Sequence, residues 1–174
     1  MSISIRRIPA TSLEPYVPSL ARILVETVNT GAPLGFMPPI DEEIAREYWL
    51  SLIPELRAGS RLLVAAFSDD EPIGSGQLAL SQRGNSPHRA EIQKLFVGVA
   101  ARGKGIGKSL MEALHHVARE HGRSLILLNT RHGEPPEHFY RELGYREVGV
   151  IPGWTIGPAG ERYDHITLYR ELSP

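Results

Sequence analysis

The chain of 174 residues contains no cysteine, which excludes disulfides, thiolate metal sites and a cysteine nucleophile. A reducing compartment is compatible with this, and a cytoplasmic location is expected. An excess of charge of either sign is also missing. Nineteen Lys plus Arg face 20 Asp plus Glu, a net charge of -1, so no global field draws the molecule to nucleic acid or to an acidic membrane. Neither partner is expected, and any anion site must be local. Long apolar runs are absent: nothing approaches the roughly 18 residues of a membrane span, and MSISIRRIPA lacks the continuous apolar stretch of a signal peptide. The chain reads as soluble and unprocessed. Repeats, low-complexity tracts and linkers are lacking too, so one domain over 1–174 is expected, long enough to bury a single core without a staple.

What is present alternates between helical and extended patterns. SISIRRI alternates as a strand does until Pro9. From about Ser12 to Thr30, Leu13, Val17, Leu20, Leu24 and Val28 recur at helical spacing, and Gly31 ends the run. APLGFMPPI at 32–40 must be a loop. Asp41 is placed to cap a second helix whose apolar stripe is Ile44, Tyr48, Leu52 and Leu56. Three β-rich segments at 61–67, 73–81 and 90–97 read as an antiparallel meander. A helix carrying Ile106, Leu110, Leu114 and Val117 follows, then a buried strand at 124–130. A helix opened by Pro135 and Pro136 comes next, and YREVGVI and YDHITLYREL give two last strands. The fold class expected is mixed α/β (α+β): about seven strands in a mostly antiparallel sheet, flanked by about four helices.

Between the third meander strand and the helix after it lies ARGKGIGKSLME. Glycine lets a ligand approach backbone N–H groups, and a helix start supplies free N–H groups and a positive dipole end. Gly103, Gly105 and Gly107 stand there with Arg102, Lys104 and Lys108, and no acidic residue occurs between Glu91 and Glu112. A phosphate or diphosphate ligand is the reading. Two common phosphate loops fail on spacing. A P-loop ending at GKS needs glycine where Arg102 stands, and the dinucleotide fingerprint needs glycine where Lys108 stands.

The remaining pattern, Arg102 followed by Gly105 and Gly107, resembles the R/Q-x-x-G-x-G/A signature of the GCN5-related N-acetyltransferases. The resemblance spans nearly the whole chain, and GFM, QLAL, RAEIQKL and PGW are similar to its tabtoxin-resistance branch. It implies the twisted GNAT sheet, acetyl-CoA as cosubstrate and a small-molecule amine as acceptor, such as a toxin or antibiotic. It implies that the diphosphate lies on Arg102, Gly103, Lys104, Gly105, Ile106, Gly107, Lys108 and Ser109. The pantetheine arm would pair with Leu95, Phe96 and Val97 beside Phe139. It further implies Glu91 as base and Tyr140 as acid. A base is needed because an amine of pKa near 10.4 is protonated at pH 7, a barrier of roughly 4 kcal/mol.

Two residues depart from the pattern. Asn129 stands where the tabtoxin-resistance branch has an aspartate proposed as a second catalytic carboxylate, and asparagine cannot accept a proton. Gly133 replaces an asparagine that usually contacts the pantetheine arm. Phe36, Met37 and Trp154 are candidate substrate-pocket residues, with packing over the sheet edge as the other reading. No metal is expected, since His115, His116 and His121 include no i, i+4 pair; His132 is either an auxiliary base or a surface histidine. A homodimer is compatible with the resemblance. An acyl-CoA-binding sensor without turnover, an acetyltransferase for a protein amine and another kind of nucleotide-phosphate site remain as alternatives.

Overall fold

A computed structural model describes residues 2–173. A seven-stranded sheet runs in the order β1 (Ile3–Arg7), β2 (Arg61–Ser68), β3 (Glu71–Leu80), β4 (Arg89–Val97), β5 (Leu125–Arg131), β7 (Arg162–Glu171) and β6 (Arg146–Ile156). Only β4 and β5 are parallel; every other neighbouring pair is antiparallel. Five helical segments flank it: α1 (Val17–Asn29), α2 (Glu42–Ser51), α3 (Ile53–Ala58), α4 (Ile106–Glu120) and α5 (Pro135–Glu142). The expected second helix is thus two pieces, with Pro54 in the first turn of the second. No helix among the described residues is long and apolar enough to cross a membrane.

Sheet alternation splits the core into two layers. Leu62, Val64, Leu78, Ile92, Ile126, Leu128, Ile166 and Leu168 pack under α4, whose Ile106, Leu110, Leu114 and Val117 form the buried stripe read from their spacing. On the opposite face Leu63, Ala65, Phe67 and Phe96 pack against α1 and α2. Trp49, fully buried there, contributes on the order of 2–3 kcal/mol by burial of its ring. Of the expected stripe, Leu52 is buried and Tyr48 and Leu56 pack against this core, but the first position does not. Ala45 and Trp49 are buried, while Ile44 is 43% exposed. Asp41 caps the helix as read, Oδ1 accepting from the Ile44 N–H at 2.9 Å.

α1 begins at Val17 rather than near Ser12, because Pro15 and Pro18 leave room only for two short 3₁₀ turns ahead of it. β6 runs on through Pro152, Gly153 and Trp154, past the YREVGVI segment whose alternation predicts the strand. Its register slips between Ile151 and Thr155, and the Gly153 N–H donates to Asp164 Oδ1 at 2.8 Å.

Candidate active site

Two irregularities of the sheet open the site. β4 pairs with β5 only at Arg89, Ala90 and Glu91, opposite Leu125, Ile126 and Leu127. Beyond Glu91 the strands part, and the β5-facing backbone edge of β4 from Ile92 to Val97 is left without a strand neighbour. The second is a bulge: Gln93 faces Gln77 and Phe96 faces Ser75, so Lys94 and Leu95 together oppose Gly76. Lys94 takes φ +49 there, an uncommon conformation for a non-glycine residue. A cavity of about 670 Å³ occupies the gap. Its walls are the β4 residues from Glu91 to Val97, Asn129 and Thr130 of β5, Tyr140 of α5, Trp154, His165, Arg102 and the loop after α1.

The glycine loop runs from the end of β4 to α4. Gly103 and Gly105 both have φ +75, and no side chain caps α4. Among the described residues, none of the six N–H groups from Gly103 to Lys108 donates to a backbone carbonyl; Ser109 is the first that does, to Gly105 at 3.1 Å. Arg102 donates from Nε to the Val97 carbonyl at 3.2 Å, tying the loop to the open strand edge. Ile106 is buried and anchors the turn. Arg102, Lys104 and Lys108 are exposed. The site can thus hold a dianion on backbone amides beside an unpaired strand edge, which is what a coenzyme A diphosphate and its amide-bearing arm require.

The structure brings Glu91 and Asn129 together. Asn129 Nδ2 donates to Glu91 Oε1 at 3.4 Å, and Thr167 Oγ1 donates to Asn129 Oδ1 at 2.7 Å. Strand alternation puts Glu91, Asn129, Thr167 and His165 on the sheet face opposite α4. Tyr140 borders the same cavity, and burial alone pushes its phenol well above the ordinary tyrosine range. Phe139 is tilted at 60° to Tyr140, with ring centroids 5.2 Å apart, and lies within 3.5 Å of where a side chain on Gly107 would begin.

The candidate substrate residues divide. Trp154 borders the cavity and stacks on His165 at 6.2 Å. Phe36 packs against Tyr48 at 5.2 Å and Met37 is 54% exposed; Leu34 and Gly35 form that wall instead. His132 lies away from the cavity lining, its Nδ1 3.0 Å from Glu137 Oε2, which also accepts from the Gly133 N–H at 2.8 Å. No group of three or more potential metal ligands occurs among the described residues. Lys94, Gln93, Thr167, His165 and Thr27 were not singled out from the sequence. Their roles depend on the bulge and on neighbours far along the chain, for which the sequence carries no local signal.

Comparison with known proteins agrees with this geometry. The sequence profile described as the acetyltransferase (GNAT) family matches residues 26–145. YwnH of Bacillus subtilis, which carries the name of a phosphinothricin acetyltransferase, is 35% identical over 85 residues, 48% of this chain and 51% of that protein. The streptothricin acetyltransferase of Streptomyces lavendulae is 32% identical over 105 residues, 60% of this chain and 54% of that protein. The chain therefore spans about half the length of these relatives. Among solved structures, yncA of Salmonella typhimurium, determined with its cofactor acetyl-CoA, superposes with a TM-score of 0.78 at 14% identity, over 100% of this chain and 96% of that one. It shares the fold.

Proposed function

The chain belongs to the acetyltransferase (GNAT) family, and from that premise we propose that it is an acetyl-CoA-dependent N-acetyltransferase for the amine of a small molecule, working in the cytoplasm. One observation carries the reading: six consecutive amides, Gly103 to Lys108, without a backbone acceptor, at the end of a strand edge without a neighbour. Bound there, acetyl-CoA supplies an acyl group activated as a thioester. The loop amides hold the diphosphate, each charge-assisted hydrogen bond contributing about 1.5–3 kcal/mol. The backbone of Leu95, Phe96 and Val97 pairs with the pantetheine arm.

Glu91 takes the proton from the acceptor amine, directly or through one water. Thr167 fixes the Asn129 amide so that its N–H₂ points at Glu91. Asn129 thereby orients the carboxylate without taking a proton itself. The scheme has one carboxylate. Tyr140 remains protonated at neutral pH because burial disfavours its phenolate, and it donates a hydrogen bond to the departing sulfur. Trp154 forms the outer wall for the acceptor.

The names of the relatives favour an antibiotic or toxin amine. Streptothricin, phosphinothricin and a tabtoxin-type β-lactam amino acid are the first acceptors to try. Thiol release from acetyl-CoA across an amine panel tests the reading, with Glu91→Gln and Tyr140→Phe in parallel. Turnover that falls about 100-fold or more in Glu91→Gln is expected. A protein that binds acetyl-CoA yet releases no thiol above background with any amine is a sensor, and would sink the enzyme reading.

A further inference from the structure

Lys94 is a cation without a counter-ion. Among the described residues no carboxylate lies within ion-pair distance of its Nζ, although the residue is largely shielded from solvent. Its ammonium instead lies 5.3 Å from the Phe36 ring centre and 5.8 Å from that of Tyr48. It also presses on Gly35, where an added Cβ would stand 2.7 Å from Nζ. The nearby guanidinium gives no relief. Arg61 is positive too, its Nε donating to Glu55 at 2.8 Å and its Nη1 to Gln77 at 2.9 Å and Gln93 at 2.8 Å. Burial first, and Arg61 second, lower the pKa of Lys94 below the ordinary lysine value. An uncompensated cation in such a place is costly, and an incoming anion removes the cost.

The backbone points the same way. β4 adopts a positive φ at a lysine, a conformation that costs about 1–3 kcal/mol and persists where the surroundings impose it. Without the bulge, alternation would send the side chains at 93 and 94 to opposite faces; with it, Lys94 joins Gln93 in the cavity wall. The same wall receives Thr27 of α1, whose buried hydroxyl finds no partner. Glu91 and Lys94, of opposite sign, both line the cavity, three residues and at most roughly 10 Å of strand apart.

We infer that Lys94 is the carboxylate-recognition residue of the acceptor site, and that the acceptor is an amino acid whose amine faces Glu91 while its carboxylate meets the Lys94 ammonium. This rests on the acetyltransferase reading and names the acceptor class within it. The Thr27 hydroxyl adds a second donor for that carboxylate.

The test uses the twenty standard L-amino acids, L-phosphinothricin and 4-aminobutyrate, each paired with its own carboxamide, together with simple alkylamines and streptothricin. Thiol release is followed in the wild type, Lys94→Met and Lys94→Arg, and acetyl-CoA binding is measured separately by calorimetry. The expected result is at least one acid acetylated ~10-fold or more better than its amide by the wild type, through KM rather than kcat. In Lys94→Met that preference vanishes, the KM of the acid rising to that of its amide, and Lys94→Arg restores part of it. Equal use of acid and amide, an equal loss of both in Lys94→Met, or turnover confined to alkylamines or streptothricin overturns the role of Lys94 and leaves the acetyltransferase standing. Failure of every amine, or of acetyl-CoA to bind, overturns both.

Discussion

Replacing Gly105 by alanine separates two things that glycine does in the loop, and a second glycine supplies the control. Gly105 has φ +75 and Gly122, at the far end of the same helix, has φ +66; at neither does an added Cβ meet any atom within 4 Å. The protein alone therefore exacts the same cost at both, the strain of a left-handed L-residue, about 1–2 kcal/mol. For a chain of this size that is a fall in Tm of about 2–8 °C, read by thermal denaturation without ligand. Binding must distinguish them. On the proposed reading a Cβ at Gly105 enters the space from which a diphosphate reaches the amides of 103–108, and losing one such hydrogen bond costs about 1.5–3 kcal/mol. Calorimetry with acetyl-CoA should therefore show Kd rising roughly 10- to 150-fold for Gly105→Ala and unchanged for Gly122→Ala. If the two variants bind acetyl-CoA equally, the loop does not hold the diphosphate and the reasoning from its bare amides is wrong.

Further consequences can be measured independently. Thr167→Val removes the hydroxyl that fixes Asn129 and should lower kcat by roughly 3- to 10-fold with acetyl-CoA affinity unchanged, about the worth of one hydrogen bond of 0.5–1.5 kcal/mol. Tyr140→Phe should lower kcat; because burial raises the phenol's pKa, the wild-type kcat with a carboxamide acceptor should show no alkaline loss from tyrosine ionisation at pH 10, and a loss with an apparent pKa near 10 that is absent from Tyr140→Phe would refute that role. His115 is buried against the Tyr145 hydroxyl at 2.7 Å, and burial, then Arg170 and Arg119, lowers its pKa from 6.5 to about 4. Between those values the unfolded chain binds the proton and the folded one does not, so stability is full above pH 6.5 and is lost as pH falls toward 4, by about 3 kcal/mol at most. Urea unfolding of the wild type and His115→Gln from pH 7 to 4 checks this: the variant should lose that part of the slope.

The meander, α4 and its loop were legible because their signals are local. Period-two and period-3.6 apolar spacing mark the elements, and glycines with cations mark the turn between them. The start of α1 is not legible, because apolar spacing continues through Leu13 while Pro15 and Pro18 decide where helical hydrogen bonds can begin. The extent of β6 is not legible beyond Ile151 because Pro152 and Gly153 look like a turn, whereas pairing with β7 carries the strand past them. Glu91 and Tyr140 came from the family pattern. The rest of the site did not, for a physical reason: Thr167 reaches Asn129 across 38 positions of chain, and nothing in the letters QKL announces a bulge that turns a lysine into the cavity.

The same geometry accounts for Asn129. An aspartate there would set two carboxylates side by side and raise the pKa of one of them. The amide leaves Glu91 as the only carboxylate of the pair, held from one side at 3.4 Å.

The most direct measurement of the central claim is a crystal structure of the protein with acetyl-CoA. The account predicts diphosphate oxygens within hydrogen-bonding distance, about 2.7–3.2 Å, of several amides from Gly103 to Lys108, with the pantetheine arm alongside Leu95 to Val97. A diphosphate bound elsewhere, with those amides turned to water, would contradict it.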